Sequence, residues 1–120
     1  MPICGLLLCR RPRLYSNDYN ASVYTIKRTV EFDAWLNGLR DMPTRLRLAR
    51  RLERAQRGAL GDVKPVGEGV FEMREFFGPG WRMYYLLEGT ALILMLGGGD
   101  KNSQQADIAA AQALAATLKE

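Results

Sequence analysis

Apolar and polar residues alternate with a period of two along residues 70–77 and 81–87, so both segments are predicted to be strands. In the first, Phe71 and Met73 fall on one face and Glu72 and Arg74 on the other. In the second, Trp81, Met83, Tyr85 and Leu87 share a face, and Arg82, Tyr84 and Leu86 share the opposite one. If Phe71, Met73, Met83 and Tyr85 cover the core, then Glu72, Arg74, Arg82 and Tyr84 converge on an exposed face. Residues 91–96 (ALILML) are apolar at every position, as in a central strand covered on both sides. Gly78-Pro79-Gly80 and Glu88-Gly89-Thr90 separate these three segments, which makes a meander of two hairpins. Residues 24–28 (YTIKR) read as one more short strand.

Between the first strand and the meander the period changes to that of a helix. Phe32, Trp35, Leu36 and Leu39 recur at i, i+3, i+4 and i+7, with Thr29 placed to cap and Glu31 and Asp33 in the first turn, where the helix dipole favours acids. Asp41-Met42-Pro43 ends that helix and starts another over residues 44–57. In this second helix Leu48, Ala49, Leu52 and Ala55 fall in one arc of roughly 120° at about 100° per residue. Arg47, Arg50, Arg51, Arg54 and Arg57 occupy a similar arc on the opposite side, with Arg45 and Leu46 departing from the pattern. Gly58 is a natural stop, and the short turn between the helices predicts an antiparallel hairpin. Residues 59–68 read as a loop. Gly97–Gly99 is expected to break the last strand before Asn102 or Ser103 caps a final helix, whose Ile108, Ala111, Leu114, Ala115 and Leu118 share a face. The resulting order is β-α-α-β-β-β-α. This is an α+β fold with a small antiparallel four-stranded sheet, an N-terminal helical hairpin and a C-terminal helix, all helices on one side.

A chain of 120 residues without an internal linker is expected to form one domain, here residues 24–120. Residues 1–23 read as a poorly ordered N-terminal extension. Their apolar run, residues 3–9, is far short of the about 20 residues a membrane span needs. The basic residues 10–13 follow that run instead of preceding it, unlike a secretory signal. The two cysteines, Cys4 and Cys9, make neither a disulfide framework nor a zinc site, and a reducing cytoplasmic setting is expected. The formal charge of +4, with thirteen Arg and four Lys, suits a polyanionic partner. Histidine is absent, so any acid–base step must draw on Arg, Lys, Tyr, Asp or Glu. No metal-ligand cluster, Ser/His/Asp set or Cys nucleophile can be assembled, and no cofactor is expected.

Two groups of residues could carry chemistry. The first is the sheet face of Glu72, Arg74, Arg82 and Tyr84, which is either a ligand site or a solvated face with cross-strand ion pairs. Asp100-Lys101 follows three glycines that permit close approach of a ligand backbone, or simply forms the entry to a helix. The GxxxxGK[ST] spacing of a phosphate loop is absent. The second group is the arginine arc, either a solvated helix surface or a binding face for phosphates or an acidic partner. Glu53 is the sole acid in that helix, which favours the latter because mixed signs are the usual arrangement.

The segments 70–74 (VFEMR), 78–85 (GPGWRMYY) and 96–101 (LGGGDK), followed by Gln104, Asp107 and Ile108, resemble the RelE/ParE superfamily of type II toxin–antitoxin toxins. They look most like its HigB-like, addiction-module-killer subgroup. The resemblance covers residues 25–118, roughly four fifths of the chain, with Trp81 standing where Tyr is frequent. It implies a ribosome-dependent messenger-RNA endonuclease neutralised by a separately encoded helix-turn-helix (HigA-like) antitoxin in a heterocomplex. The implied reaction is attack of a ribose 2′-hydroxyl on the adjacent phosphate. By this resemblance Arg82 stabilises the phosphate, Arg74 contacts phosphate or leaving-group charge, and Lys101 stabilises or protonates the leaving oxygen. Glu72 or Tyr84 would activate the 2′-hydroxyl, although relatives carry Lys near position 72. ParE-type relatives share the fold and poison DNA gyrase without cutting RNA, and a non-catalytic RNA- or partner-binding module is the remaining alternative.

Overall fold

The computed structural model describes residues 23–118. The extension expected over residues 1–23, with Cys4 and Cys9, lies outside them apart from Val23. The chain runs β1 (Thr25–Arg28), α1 (Val30–Asn37), α2 (Met42–Gln56), β2 (Val63–Gly67), β3 (Val70–Arg74), β4 (Arg82–Glu88), β5 (Leu92–Gly99) and α3 (Gln104–Leu118). A 3-10 turn, Lys101–Ser103, leads into α3.

Local chemistry sets the starts of α1 and α2 as the sequence predicts, whereas the turn into α3 is capped by Asp100 instead of Asn102 or Ser103. The Thr29 hydroxyl accepts from the Phe32 N–H and also donates to the Met95 carbonyl, tying the start of α1 to β5. Asp41 caps α2 by accepting from the Thr44 N–H and hydroxyl, and Pro43 occupies the first turn, where its missing N–H costs nothing.

The sheet has five strands in the order β1-β5-β4-β3-β2, not four. The additional strand is β2, in the segment expected to be a loop. It pairs antiparallel with β3 at the edge, with a register shift between Pro65 and Gly67. Proline is tolerated there because an edge strand has donors to spare. The sheet is also mixed: β1 runs parallel to β5, Thr25 facing Leu92 and Arg28 facing Met95. The three glycines do not break β5. Gly97, Gly98 and Gly99 pair with Tyr84, Met83 and Arg82 and extend the strand by three residues.

Helices cover both faces, which corrects the one-sided packing expected. On one face Phe71, Met73, Met83 and Tyr85 meet Phe32 and Leu36 of α1 and Leu48, Leu52 and Ala55 of α2. That is the core side the strand alternation selects. On the other, α3 lays Ala111 and Ala115, flanked by Ile108 and Leu114, over Val70, Tyr84, Leu86 and Leu96. The small side chains bring the helix close to the sheet. β5 is apolar throughout because Ile93 and Met95 serve the first core while Leu94 and Leu96 serve the second.

Candidate functional site

At one end of the sheet, strand pairing places Arg74 directly opposite Arg82 and Arg82 opposite Gly99. Two guanidinium groups facing each other on one side repel. Each therefore has its own carboxylate. Asp62, just before β2, lies 3.1 Å from the Arg74 Nε. Glu72 Oε1 lies 3.9 Å from the Arg82 Nε, and neither of these two buried atoms has a hydrogen-bond partner. The other oxygen of Glu72 accepts from the Tyr84 hydroxyl at 3.1 Å and from the Gln104 amide at 2.7 Å. Arg82 Nη1 donates to the carbonyls of Glu75 and Trp81, both at 3.1 Å.

This group does not lie on the open face expected for it. Glu72 and Tyr84 are 0% exposed and Arg82 5%, because α3 covers that side of the sheet. Burial, followed by the neighbouring Glu72 carboxylate, holds the Tyr84 hydroxyl well above the ordinary tyrosine range. Tyr84 is therefore a protonated donor at neutral pH. Its hydrogen bond and that of Gln104 orient the carboxylate that faces Arg82.

The Arg82 guanidinium and the Cβ of Lys101 both border Gly80. A methyl group placed there would sit 3.4 Å from the Lys101 Cβ and 3.5 Å from the Arg82 Nη1. Lys101 itself is exposed on the short turn capped by Asp100, whose carboxylate accepts from the Asn102 and Ser103 N–H groups. The glycines before it serve the protein's own packing more than a ligand's approach. A Cβ at Gly98 would fall 2.5 Å from the Trp35 ring, and one at Gly99 would run into the Asp107 carboxylate. Gly97 alone meets nothing, and it lines a cavity of about 220 Å³ with Trp35, Leu96, Asp107 and Leu114.

Among the α2 arginines, Arg47, Arg50, Arg54 and Arg57 are exposed, but Arg51 is buried at 5%. The segment after α2 folds back along the helix and offers it carbonyls. Arg51 donates to Leu60, Asp62 and Arg74 carbonyls and pairs with Glu75 at 2.6 Å. Gly61, at φ +73°, leaves room for the guanidinium, since a Cβ there would lie 3.0 Å from its Nη2. Arg47 takes a different partner and stands 3.8 Å from the centroid of Phe77. Asp62, Glu75 and Phe76 belong to this end of the molecule and went unnoticed in the sequence. The pair Phe76-Phe77 directly before Gly-Pro-Gly was the visible signal. Among the described residues no group of three or more His, Cys, Asp or Glu stands ready to hold a metal, and no helix is long and apolar enough to cross a membrane.

No family profile matches the sequence. An uncharacterized protein of Haemophilus influenzae is 40% identical over 93 residues, which span 78% of this chain and 94% of that one. The chain belongs to the same family as that protein. Among solved structures, a chain of the toxin–antitoxin complex RelBE2 from Mycobacterium tuberculosis superposes with a TM-score of 0.50 at 21% identity, over 65% of this chain and 98% of that chain. The two share a fold.

Proposed function

We propose that this protein is the toxin of a type II toxin–antitoxin module and cuts messenger RNA on the ribosome. The observation that carries the reading is that the Arg82 guanidinium and the Cβ of Lys101 both border Gly80, with Arg74 on the adjacent strand. The fold shared, over 65% of this chain, with a chain of a toxin–antitoxin complex supports it. In an enzyme without histidine, rate must come from holding the RNA bent and neutralising charge on the phosphorus. The 2′-oxygen bonds to phosphorus, its proton passing to solvent water, as the bond to the 5′-oxygen breaks and that oxygen takes up a proton from Lys101 or water. A cyclic phosphate and a free 5′-hydroxyl result. Arg82 and Arg74 face the phosphate oxygens, and Lys101, exposed on its turn, neutralises or protonates the leaving oxygen. Glu72 and Tyr84, enclosed beneath α3, position Arg82 instead of meeting the RNA. The exposed arginines Arg47, Arg50 and Arg54 of α2 and Arg57 at its C-cap offer a cationic stripe to RNA or to a helix-turn-helix antitoxin.

One observation favours a second reading. Arg82 donates to two loop carbonyls and Arg74 is paired with Asp62, so both cations already have partners. A binding protein of the gyrase-poisoning kind needs no free guanidinium at this place. Inducing the chain in cells while mapping RNA 5′ ends, with a parallel gyrase supercoiling assay, separates the two. Cuts within translated messages that vanish with Lys101→Ala support the nuclease. Inhibited supercoiling with intact messages supports the gyrase poison and ends the first reading. Reversing charge with Arg50→Glu and Arg54→Glu weakens ribosome or antitoxin binding if the α2 stripe is an interface.

A further inference from the structure

The loop between β3 and β4 carries a side chain that the chemistry above does not use. Phe76 is 72% exposed. A single exposed phenyl ring is ordinary on a mobile surface, but this one is held on fixed backbone. Arg51 Nη1 donates to the Arg74 carbonyl at 2.7 Å and Arg82 Nη1 to the Glu75 carbonyl at 3.1 Å. The Glu75 N–H donates to the Trp81 carbonyl across the loop, and the Gly80 N–H closes the turn onto the Phe77 carbonyl. Two buried guanidinium groups thus anchor the backbone immediately before the ring.

Cations also accompany the two rings of this loop. The Arg74 guanidinium lies 5.7 Å from the Phe76 centroid and that of Arg47 lies 3.8 Å from the neighbouring Phe77. From Arg47 the charge continues along one face of α2 through Arg50 and Arg54, spaced i, i+3 and i+7. Rings interleaved with guanidinium groups suit a single strand of nucleic acid, whose bases stack on aromatic faces while its phosphates lie on the cations. A paired strand cannot use such a ring, because its bases are already stacked inside the duplex.

We infer that Phe76 is a stacking platform for one unpaired base of a single-stranded RNA whose backbone follows Arg74, Arg47 and the α2 stripe. The choice of RNA rests on the nuclease reading. The inference deepens that reading by seating a base on the same loop whose Gly80 is bordered by Arg82 and Lys101. The exposed guanidinium groups of Arg47, Arg50 and Arg54 indicate a polyanion as the occupant, in preference to an apolar protein anchor.

Fluorescence anisotropy with a labelled single-stranded RNA decamer and the full chain tests the proposal. Phe76→Ala and Phe76→Leu should each weaken binding about 5- to 100-fold, as expected for one lost stacking partner, and Phe76→Trp should restore it. The salt dependence should be unchanged in Phe76→Ala but shallower by roughly 0.7 in log–log slope for Arg47→Gln. The same RNA annealed to its complement should show no loss with Phe76→Ala. Equal affinity of Phe76→Ala and the unaltered chain for the single strand overturns the proposal and leaves the ring to a protein partner. Phe76→Leu that binds like the unaltered chain also overturns it, because the contact is then merely apolar. Phe76-dependent binding without cleavage of translated messages keeps this site and removes the nuclease. Cleavage with Phe76-independent binding does the reverse.

Discussion

The two faces of the sheet are built differently although they share the same strands. The hydrophobic cluster under α1 and α2 is apolar and aromatic, with Phe32, Met73, Met83 and Met95 fully buried, and the buried Arg51 of α2 spends its guanidinium on loop carbonyls and Glu75. The face under α3 encloses Glu72, Tyr84 and Arg82 alongside its apolar residues. A buried carboxylate and guanidinium lose hydration that their mutual attraction only partly returns, and here they stand 3.9 Å apart with one unpartnered atom each. The first face holds the fold. The second gives up stability to hold one arginine at a chosen place, an arrangement that fits a site better than a core.

Removing one charge from that buried pair should have the largest effect. Glu72→Ala leaves Arg82 uncompensated and should lower stability by about 3–5 kcal/mol in denaturant unfolding. Replacing both partners, Glu72→Met with Arg82→Met, should restore most of that loss, and under the proposed nuclease reading it should also abolish RNA cleavage. If the double variant stays as unstable as the single one, the polar face is a structural requirement and the contrast fails. On the apolar face Met83→Ala should cost roughly 2–4 kcal/mol through the cavity left behind, with activity per folded molecule unchanged.

Tyr84→Phe sharpens the comparison at a smaller scale. It leaves Glu72 one donor short and should cost about 1–2 kcal/mol at neutral pH. The sign of the pH effect follows from the raised value of Tyr84. The folded protein keeps the hydroxyl protonated where the unfolded chain ionises, near pH 10.0. Stability from this group is fully present below that pH and is lost as the pH climbs beyond it. Thermal unfolding followed from pH 8 to 11 (roughly the usable range around a tyrosine's ordinary pKa of about 10) should show a steeper alkaline fall for the unaltered chain than for Tyr84→Phe. Tyr85, also raised by burial, sits on the apolar face and should keep its own share of that fall in both proteins. Arg50→Ala, on the solvated face of α2, should change stability by less than about 0.5 kcal/mol.

Strand alternation alone placed Phe71, Met73, Met83 and Tyr85 on one core, and it grouped Glu72, Arg74, Arg82 and Tyr84 together on the other side. A period of two says which residues share a face. It does not say whether another layer covers that face, so Glu72 and Tyr84 were expected in the open. The stripe Ile108, Ala111 and Ala115 on the last helix held the missing information, since it needs a partner surface that the first core could not provide. Arg51 was misread for a related reason. Helical periodicity assigns it to the polar arc, but the carbonyls of Leu60 and Asp62 return along the helix and make that position an interior one. β2 was hidden by Pro65 and its flanking glycines, which punctuate the sequence like a loop and are nonetheless compatible with an edge strand.

The parallel pairing of β1 with β5 bears on when this molecule acquires its shape during synthesis. Thr25 leaves the ribosome long before Leu92, the residue it must lie beside, and Lys101 and Gln104 follow later still. Closing so wide a separation is slow and must wait for the far segment to emerge. A nascent chain that has reached only β4 holds Arg82 without the lysine beside Gly80 and without the amide that steadies Glu72. The contacts that hold Glu72 and border Gly80 are therefore completed only with the final stretch of translation.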